Sequence, residues 1–78
     1  MNLELKRFIY DFNYLIGRIN TAESIPAEKL NKYSENGYMK LITALQEIIR
    51  QSGEIGIKIE RIINRPLTDY EKLNGINI

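Results

Sequence analysis

The chain of 78 residues contains no cysteine, no histidine and no tryptophan. Without cysteine it cannot form a disulfide. Without cysteine or histidine it also lacks the usual zinc ligands, a thiol nucleophile and an imidazole acid–base group. Its ten carboxylates are scattered among basic residues and do not form a catalytic pair. We therefore expect a protein that is not an enzyme and that holds no cofactor and no metal ion.

A surplus of charge of one sign is also missing, because 11 Lys and Arg face 10 Asp and Glu, for a net charge of +1. Nucleic acids and acidic membranes attract proteins through a concentrated basic face. No apolar run approaches the roughly 20 residues that cross a bilayer, and the first residues lack the apolar stretch of a secretory signal. We expect one cytoplasmic domain spanning residues 1–78, with no membrane contact and with nucleic acid as the less favoured partner.

The composition is also rich in isoleucine, with 14 Ile and no Val, and in Asn, Lys and Tyr. This bias is typical of an AT-rich genome and indicates a bacterial or phage origin.

The first third of the chain shows the clearest periodic pattern. From Leu3 to Asn20 apolar residues recur at intervals of three and four, which predicts a helix with one apolar stripe. The stripe consists of Leu5, Phe8, Ile9, Phe12, Leu15, Ile16 and Ile19.

A second helical pattern begins at Tyr38 and keeps its phase to Asn64. Every seventh position carries an apolar residue, at Leu41, Ile48, Ile55 and Ile62. Two separate helices have no reason to agree in phase. We therefore favour one long helix, weakened at Ser52-Gly53, over two helices broken there. A strand through the alternating Ile55, Ile57 and Ile59 is a third interpretation, although no second strand is available to pair with it.

The segments around these two helices contain start and stop signals. Ser24 followed by Pro26 predicts a short helix over residues 27–33, and Asn36-Gly37 is typical of a helix end. Pro66 ends the long helix, because the residue before a proline is excluded from helical conformation. Thr68 and Glu71 have the spacing of a capping box. This box predicts a last short helix over residues 69–74, closed by Gly75.

The size of the chain limits its stability as a monomer. The apolar area that 78 residues can bury roughly offsets the conformational entropy that they lose. We expect an all-α fold, a small helical hairpin or bundle in which the first helix packs antiparallel to the long one. Because a lone chain of this size is marginal, we expect dimerisation to complete the fold.

One segment, Ser52 to Ile59, has the spacing of a ligand loop. Its Gly53-Glu54-Ile55-Gly56 sequence is similar to the GxxG turn of KH domains, and the segment also resembles a helix-hairpin-helix element. Either resemblance implies a loop between two helices that contacts a phosphate backbone. The alternative that we favour is a weak point in one helix. Residues 29–46 have the spacing of a helix-turn-helix, but the predicted second helix carries only Lys40 in its first two turns.

The first helix carries a second line of large side chains opposite its core stripe. Tyrosine beside arginine is typical of interface cores, so this line predicts a surface that docks on a partner. The alternative is that the C-terminal segment, with Leu67, Tyr70, Leu73 and Ile76, folds back and covers it. The predicted interface residues are Leu3, Arg7, Tyr10, Tyr14, Gly17 and Arg18, with Lys6 beside them.

These patterns predict a non-catalytic helical protein that binds a protein partner through a helix face, as a regulator, an inhibitor or an assembly factor does. A homodimer is the expected assembly. The alternative function is binding to a nucleic-acid backbone through Lys58, Arg61 and Arg65. Salt distinguishes the two functions, because only phosphate binding weakens steeply with ionic strength.

Overall fold

The computed structural model describes residues 2–25 and 35–77, which form three helices and, within these ranges, no strand. Helix α1 spans Leu3–Glu23, α2 spans Glu35–Ile63, and α3 spans Asp69–Asn74. The all-α prediction is confirmed. The short helix predicted at residues 27–33, and with it part of the predicted helix-turn-helix, lies outside the described residues.

Helix α1 begins at a polar cap and buries the predicted stripe. The Asn2 side chain accepts a hydrogen bond from the Glu4 amide at 2.8 Å, which satisfies one free N–H of the first turn. The helix continues three residues beyond the predicted end at Asn20. Its four buried residues all belong to the predicted stripe, and they are Ile9, Phe12, Leu15 and Ile16.

Helix α2 is one continuous helix of 29 residues that passes through Ser52 and Gly53. The single long helix is therefore confirmed, and the two-helix and strand alternatives are wrong. The predicted helix end at Asn36-Gly37 is also wrong, because both residues lie within α2.

Gly56, in the middle of α2, has a packing role within the continuous helix. A Cβ atom on Gly56 would lie 3.4 Å from Cε2 of Phe12 and 3.5 Å from Cδ1 of Leu67. The glycine thus lets two core side chains pack directly against the α2 backbone. Ser52 satisfies its buried hydroxyl within the helix, by donating to the Ile49 carbonyl at 2.8 Å. Close packing, rather than a loop, accounts for the glycine at position 56.

Helices α1 and α2 pack against each other through the apolar stripe of α1. Phe12 lies against Gly56, while Phe8, one turn earlier, lies beneath the Lys58 ammonium at 5.6 Å from the ring centroid. The core between them is centred on Ile59, which is fully buried. The buried members of this core are Ile9, Phe12, Ile16, Ile59 and Leu67, and Leu5, Phe8, Ile19, Ile55, Ile63 and Ile76 pack around them.

A tight turn joins α2 to α3. Asn64 follows the last residue of α2 with a left-handed φ of 57°, which closes the helix. The Glu60 carboxylate accepts a hydrogen bond from the Leu67 amide at 2.7 Å, and this bond holds Leu67 in the core. The predicted capping box is present, with Thr68 and Glu71 each accepting a hydrogen bond from the other's amide.

The C-terminal segment after α3 is held against one flank of α1. The Asn13 side chain donates to the Ile76 carbonyl at 2.9 Å and accepts from the Ile76 amide at 2.7 Å. The Asn20 side chain donates to the Leu73 carbonyl at 3.0 Å. Gly75 has a φ of 92°, a conformation that a side chain rarely allows, and this lets the chain turn beside Asn13.

Candidate protein-binding surface

The outward face of α1 is the line formed by Leu3, Tyr10, Tyr14 and Gly17. Tyr10 and Tyr14 are each two residues from the buried Phe12, and two helical residues span about 200°, so both rings lie on the opposite side of the helix. Leu3, Tyr10 and Tyr14 are 75%, 69% and 60% exposed. The fold therefore leaves three large apolar side chains in one line open to solvent.

The C-terminal segment does not cover the outward face. It lies along the flank of α1, where Asn13 and Asn20 hold it, and leaves the rings of Tyr10 and Tyr14 exposed. The covering alternative is therefore wrong for these two tyrosines. Of the four residues that were candidates for covering them, Leu67 and Ile76 pack on the α1–α2 core, while Tyr70 and Leu73 are exposed.

Cations flank the outward face on both sides, and the Asp11 carboxylate lies beside Arg7 and Tyr10. The Arg18 guanidinium lies 6.0 Å from the centroid of the Tyr14 ring, at the edge of cation–π contact. Among the described residues, no carboxylate forms an ion pair with Lys6, Arg7 or Arg18. These cations can therefore pair with carboxylates of another molecule.

The outward face also has a recess at its C-terminal end. Gly17 has nothing within 4 Å of the position that a Cβ atom would occupy, so it leaves a recess beside the Tyr14 ring. Tyr14, Gly17, Arg18 and Thr21 line a shallow depression there. An aromatic edge beside a recess and a guanidinium offers both apolar area and directional donors, which are the features of interface anchors.

The three basic residues of the alternative function are largely engaged within the chain. Arg65 donates two hydrogen bonds to the Glu71 carboxylate, at 2.9 and 3.1 Å. The Arg65 guanidinium and the Thr68 amide together lower the pKa of Glu71 to about 2. Lys58 lies over the Phe8 ring. Arg61 is in the last turn of α2, where the partial negative charge of the helix end opposes a phosphate.

The segment from Ser52 to Ile59 does not form the ligand loop that its spacing resembles. KH and helix-hairpin-helix elements both need a break between helices that exposes backbone N–H groups. Here these residues lie inside α2, where their N–H groups belong to the helix. Both resemblances are therefore wrong.

The structure shows a second exposed apolar line that the sequence pattern assigned in part to the core. Ile49 and Ile57 are 48% and 51% exposed on α2, with Gly53 between them. We call Ile49, Gly53 and Ile57 the groove face, because a groove of about 370 Å³ opens beside them. Phe12, Ile16 and Leu67 form part of its lining. The spacing of four residues from Ile49 to Gly53 and from Gly53 to Ile57 could have indicated this line from the sequence. Ile49, however, also fits the periodicity of the core stripe.

Within residues 2–25 and 35–77, no group of acidic side chains is arranged to hold a metal ion. None of the helices in that part of the chain combines the length and apolar character that a bilayer crossing needs. No family model, no curated protein and no solved structure matches the chain. The functional inference therefore rests on the geometry of the surface.

Proposed function

We propose that the protein is a non-catalytic helical module that binds another protein through the outward face of α1. One observation carries this proposal: Leu3, Tyr10 and Tyr14 are exposed in line on a helix whose opposite stripe already packs the core. A surface helix needs only one apolar stripe to fold. A second apolar line adds nothing to the stability of the chain, so it serves contact with another molecule.

The charges beside the face define the chemistry of the partner. Lys6, Arg7 and Arg18 have no ion-pair partner among the described residues. A surface with carboxylates around an apolar patch complements them, since the patch covers the tyrosines while the carboxylates pair with the cations. We propose an acidic protein surface of this kind as the binding partner, with the chain acting as a regulator, an inhibitor or an assembly factor.

We propose that a helical hairpin formed by α1 and α2 presents this face, and that a homodimer is its working form. The antiparallel contact of the two helices, with Phe8 beside Lys58 and Phe12 beside Gly56, supports the hairpin. The small size of the core supports dimerisation, because a second copy adds buried apolar area to a chain that has little.

Binding to a nucleic-acid backbone through Lys58, Arg61 and Arg65 is the competing function. The pairing of Arg65 with Glu71 and the position of Arg61 at a helix C-terminus give it less support. A fluorescent oligonucleotide titrated at two salt concentrations distinguishes the functions. We expect no binding of the oligonucleotide at physiological salt, whereas a phosphate binder would lose affinity steeply as salt rises.

Comparative capture from a lysate of the source organism tests the proposed function. Three baits are compared: the wild type, Tyr10→Ala/Tyr14→Ala, and the control Tyr70→Ala/Leu73→Ala. The control removes two side chains of similar exposure, 67% and 65%, from α3. Quantitative mass spectrometry should find a protein that the wild type and the control enrich and that the α1 variant does not.

The captured protein is then purified and its affinity is measured by calorimetry. We expect the α1 variant to bind it at least ~30-fold more weakly, as loss of aromatic interface anchors does. The control variant should bind within about threefold of the wild type. Equal enrichment by all three baits, or equal loss from the two variants, would overturn the proposal.

A further inference from the structure

Helix α2 carries a second exposed apolar line, separate from the outward face of α1. On the groove face, Ile49 and Ile57 stand half exposed on either side of Gly53. A Cβ atom built on Gly53 would have nothing within 4 Å. The face therefore consists of two apolar ridges with an open gap between them, which is a shape that another helix can enter.

The spacing of this face is symmetric about Gly53. Ile49 lies four residues before the glycine and Ile57 four residues after it. In an antiparallel pair of α2 helices with a two-fold axis at Gly53, Ile49 of one copy meets Ile57 of the second copy, and the reverse contact forms at the same time. Self-complementarity of this kind is what an interface between identical copies requires.

The symmetry extends one further turn in each direction. Gln46 lies seven residues before Gly53, and Glu60 lies seven residues after it. The same axis brings the Gln46 amide of one copy toward the Glu60 carboxylate of the second. Oε2 of Glu60 accepts from the Leu67 amide, which leaves Oε1 as an acceptor for a glutamine donor. The polar ends of the face are therefore complementary as well.

The charges beside the groove face allow two copies to meet, because Lys72 and the Glu60 carboxylate, which both line the groove, carry opposite charges. Arg50 is the nearest cation along α2, and it forms ion pairs with Glu47 and Glu54 of its own helix. Its charge is thus neutralised before any contact between copies. On the outward face of α1, by contrast, Arg7 and Arg18 form no ion pair within the described residues. Self-pairing therefore favours α2.

We propose that the groove face of α2 is the interface through which two copies of this chain pair antiparallel, with the two-fold axis at Gly53. The absence of a side chain at Gly53 lets the two α2 backbones approach closely. The ridge residues of each copy then pack toward the groove of the other, whose lining includes Phe12 and Leu67. This inference rests on the homodimer proposed above and specifies its interface, whereas the partner-binding face lies on a different helix.

Sedimentation equilibrium with three proteins tests which face pairs the copies. The wild type should sediment at twice the chain mass of 9.1 kDa. Ile57→Glu should raise the dimer dissociation constant at least ~30-fold, because it places a charge in the apolar contact. Tyr10→Ala/Tyr14→Ala should remain a dimer. Far-UV circular dichroism checks that each variant keeps the helical content of the wild type.

Cross-linking tests the position of the axis, and the absence of native cysteine makes it direct. Residues on a two-fold axis lie beside their own copies, so Gly53→Cys should oxidise to a disulfide-linked dimer on a non-reducing gel. Glu54→Cys, one position further round the helix, should remain largely monomeric on the same gel. The two variants carry the thiol on different faces of α2.

Three results would overturn the proposal. They are a wild type of 9.1 kDa at high micromolar concentration, a dimer that survives Ile57→Glu but dissociates in Tyr10→Ala/Tyr14→Ala, and equal cross-linking at positions 53 and 54. Capture with the Ile57→Glu bait separates this proposal from the proposed function. That variant should lose the dimer and still enrich the partner of α1.

Discussion

The two faces of α1 both carry large apolar side chains, yet their surroundings differ. Ile9 and Phe12 on the inward face are each 3% exposed, whereas Tyr10 and Tyr14 on the outward face are 69% and 60% exposed. The inward face meets α2, and the outward face meets no described residue that covers it. Helical period alone identifies both lines, so the difference lies in residue type: aliphatic and phenyl groups inside, tyrosine with arginine outside.

The border between the inward and outward faces of α1 carries polar side chains that bind the C-terminal segment. Asn13 and Asn20 lie on the flank of α1 and bind the backbone at Ile76 and Leu73. The C-terminal segment therefore widens the buried side of α1 but stops before the tyrosines. Substitutions on the inward face, on this border and on the outward face should then affect the stability of the chain in decreasing order.

The largest effect is expected at Phe12. Phe12→Ala should lower the free energy of unfolding by about 3–5 kcal/mol, because it leaves a cavity where the ring contacts Gly56 and the rest of the core. Phe12→Leu, which keeps most of the volume, should cost less than about 1.5 kcal/mol. Urea denaturation followed by circular dichroism measures both. A loss below 1 kcal/mol for Phe12→Ala would show that the inward face is not the core.

The next largest effects on stability are expected from glycine-to-alanine substitutions near the border. One of them should destabilise the chain and the other should stabilise it. Gly75→Ala should destabilise the chain by about 1–3 kcal/mol, since φ is 92° and the new Cβ would lie 2.7 Å from the Asn13 Oδ1 atom. Gly17→Ala, in an open helical position, should stabilise it by about 0.4–1 kcal/mol. Thermal melts compare the two. Equal shifts of Tm would mean that the C-terminal segment is not held at Asn13.

A smaller effect is expected from acid at the turn that leads to α3. The pKa of Glu71 is lowered to about 2 from its ordinary value of 4.5, chiefly by hydrogen bonds from Arg65. The ionised form is therefore favoured in the folded state. Its contribution to stability is complete above about pH 4.5 and is lost as the pH falls toward 2.

The comparison of the wild type with Glu71→Gln isolates this contribution. The difference in their free energies of unfolding should be largest near neutral pH and should shrink as the pH falls below 4.5. Chemical denaturation at a series of pH values measures it. A difference that stays constant down to pH 2 would mean that the Glu71 carboxylate is not paired with Arg65.

Local signals predicted the helices well. The first helix was predicted over residues 3–20 and spans Leu3–Glu23, and the long helix was predicted over residues 38–64 and spans Glu35–Ile63. The apolar periodicity and the capping residues of a helix involve residues only a few positions apart, so they can be recognised in a single sequence. The capping box of Thr68 and Glu71 was predicted for the same reason, and the structure confirms it.

Contacts between distant residues left no comparable signal. Asn13 and Ile76 are 63 positions apart, and an asparagine on a helix flank looks like any other solvated polar residue. Gly56 was predicted only as part of a weak stretch of helix, because its close approach to Phe12 appears only once α1 is in place. Ile49 and Ile62 fitted the core period, yet both are partly exposed, since α1 covers a narrower stripe of α2 than the pattern allows.

The residues of the candidate surface could be predicted from the sequence, but whether another segment covers them could not. The spacing of Leu3, Tyr10 and Tyr14 placed them on one line of α1, and the structure shows that line exposed. Whether the C-terminal segment would cover it depended on where Asn13 and Asn20 hold that segment. Binding of a partner at this surface stays a prediction.

The double variant Tyr10→Ala/Tyr14→Ala tests the different roles of the two faces most directly, because it should have the smallest effect on stability and the largest on binding. Urea denaturation should give a free energy of unfolding within about 0.5 kcal/mol of the wild type, since alanine favours helix and both rings are exposed. The captured partner should bind it at least ~30-fold more weakly. A loss of stability as large as that of Phe12→Ala, with partner affinity retained by the folded fraction, would contradict the account and place both tyrosines in the core.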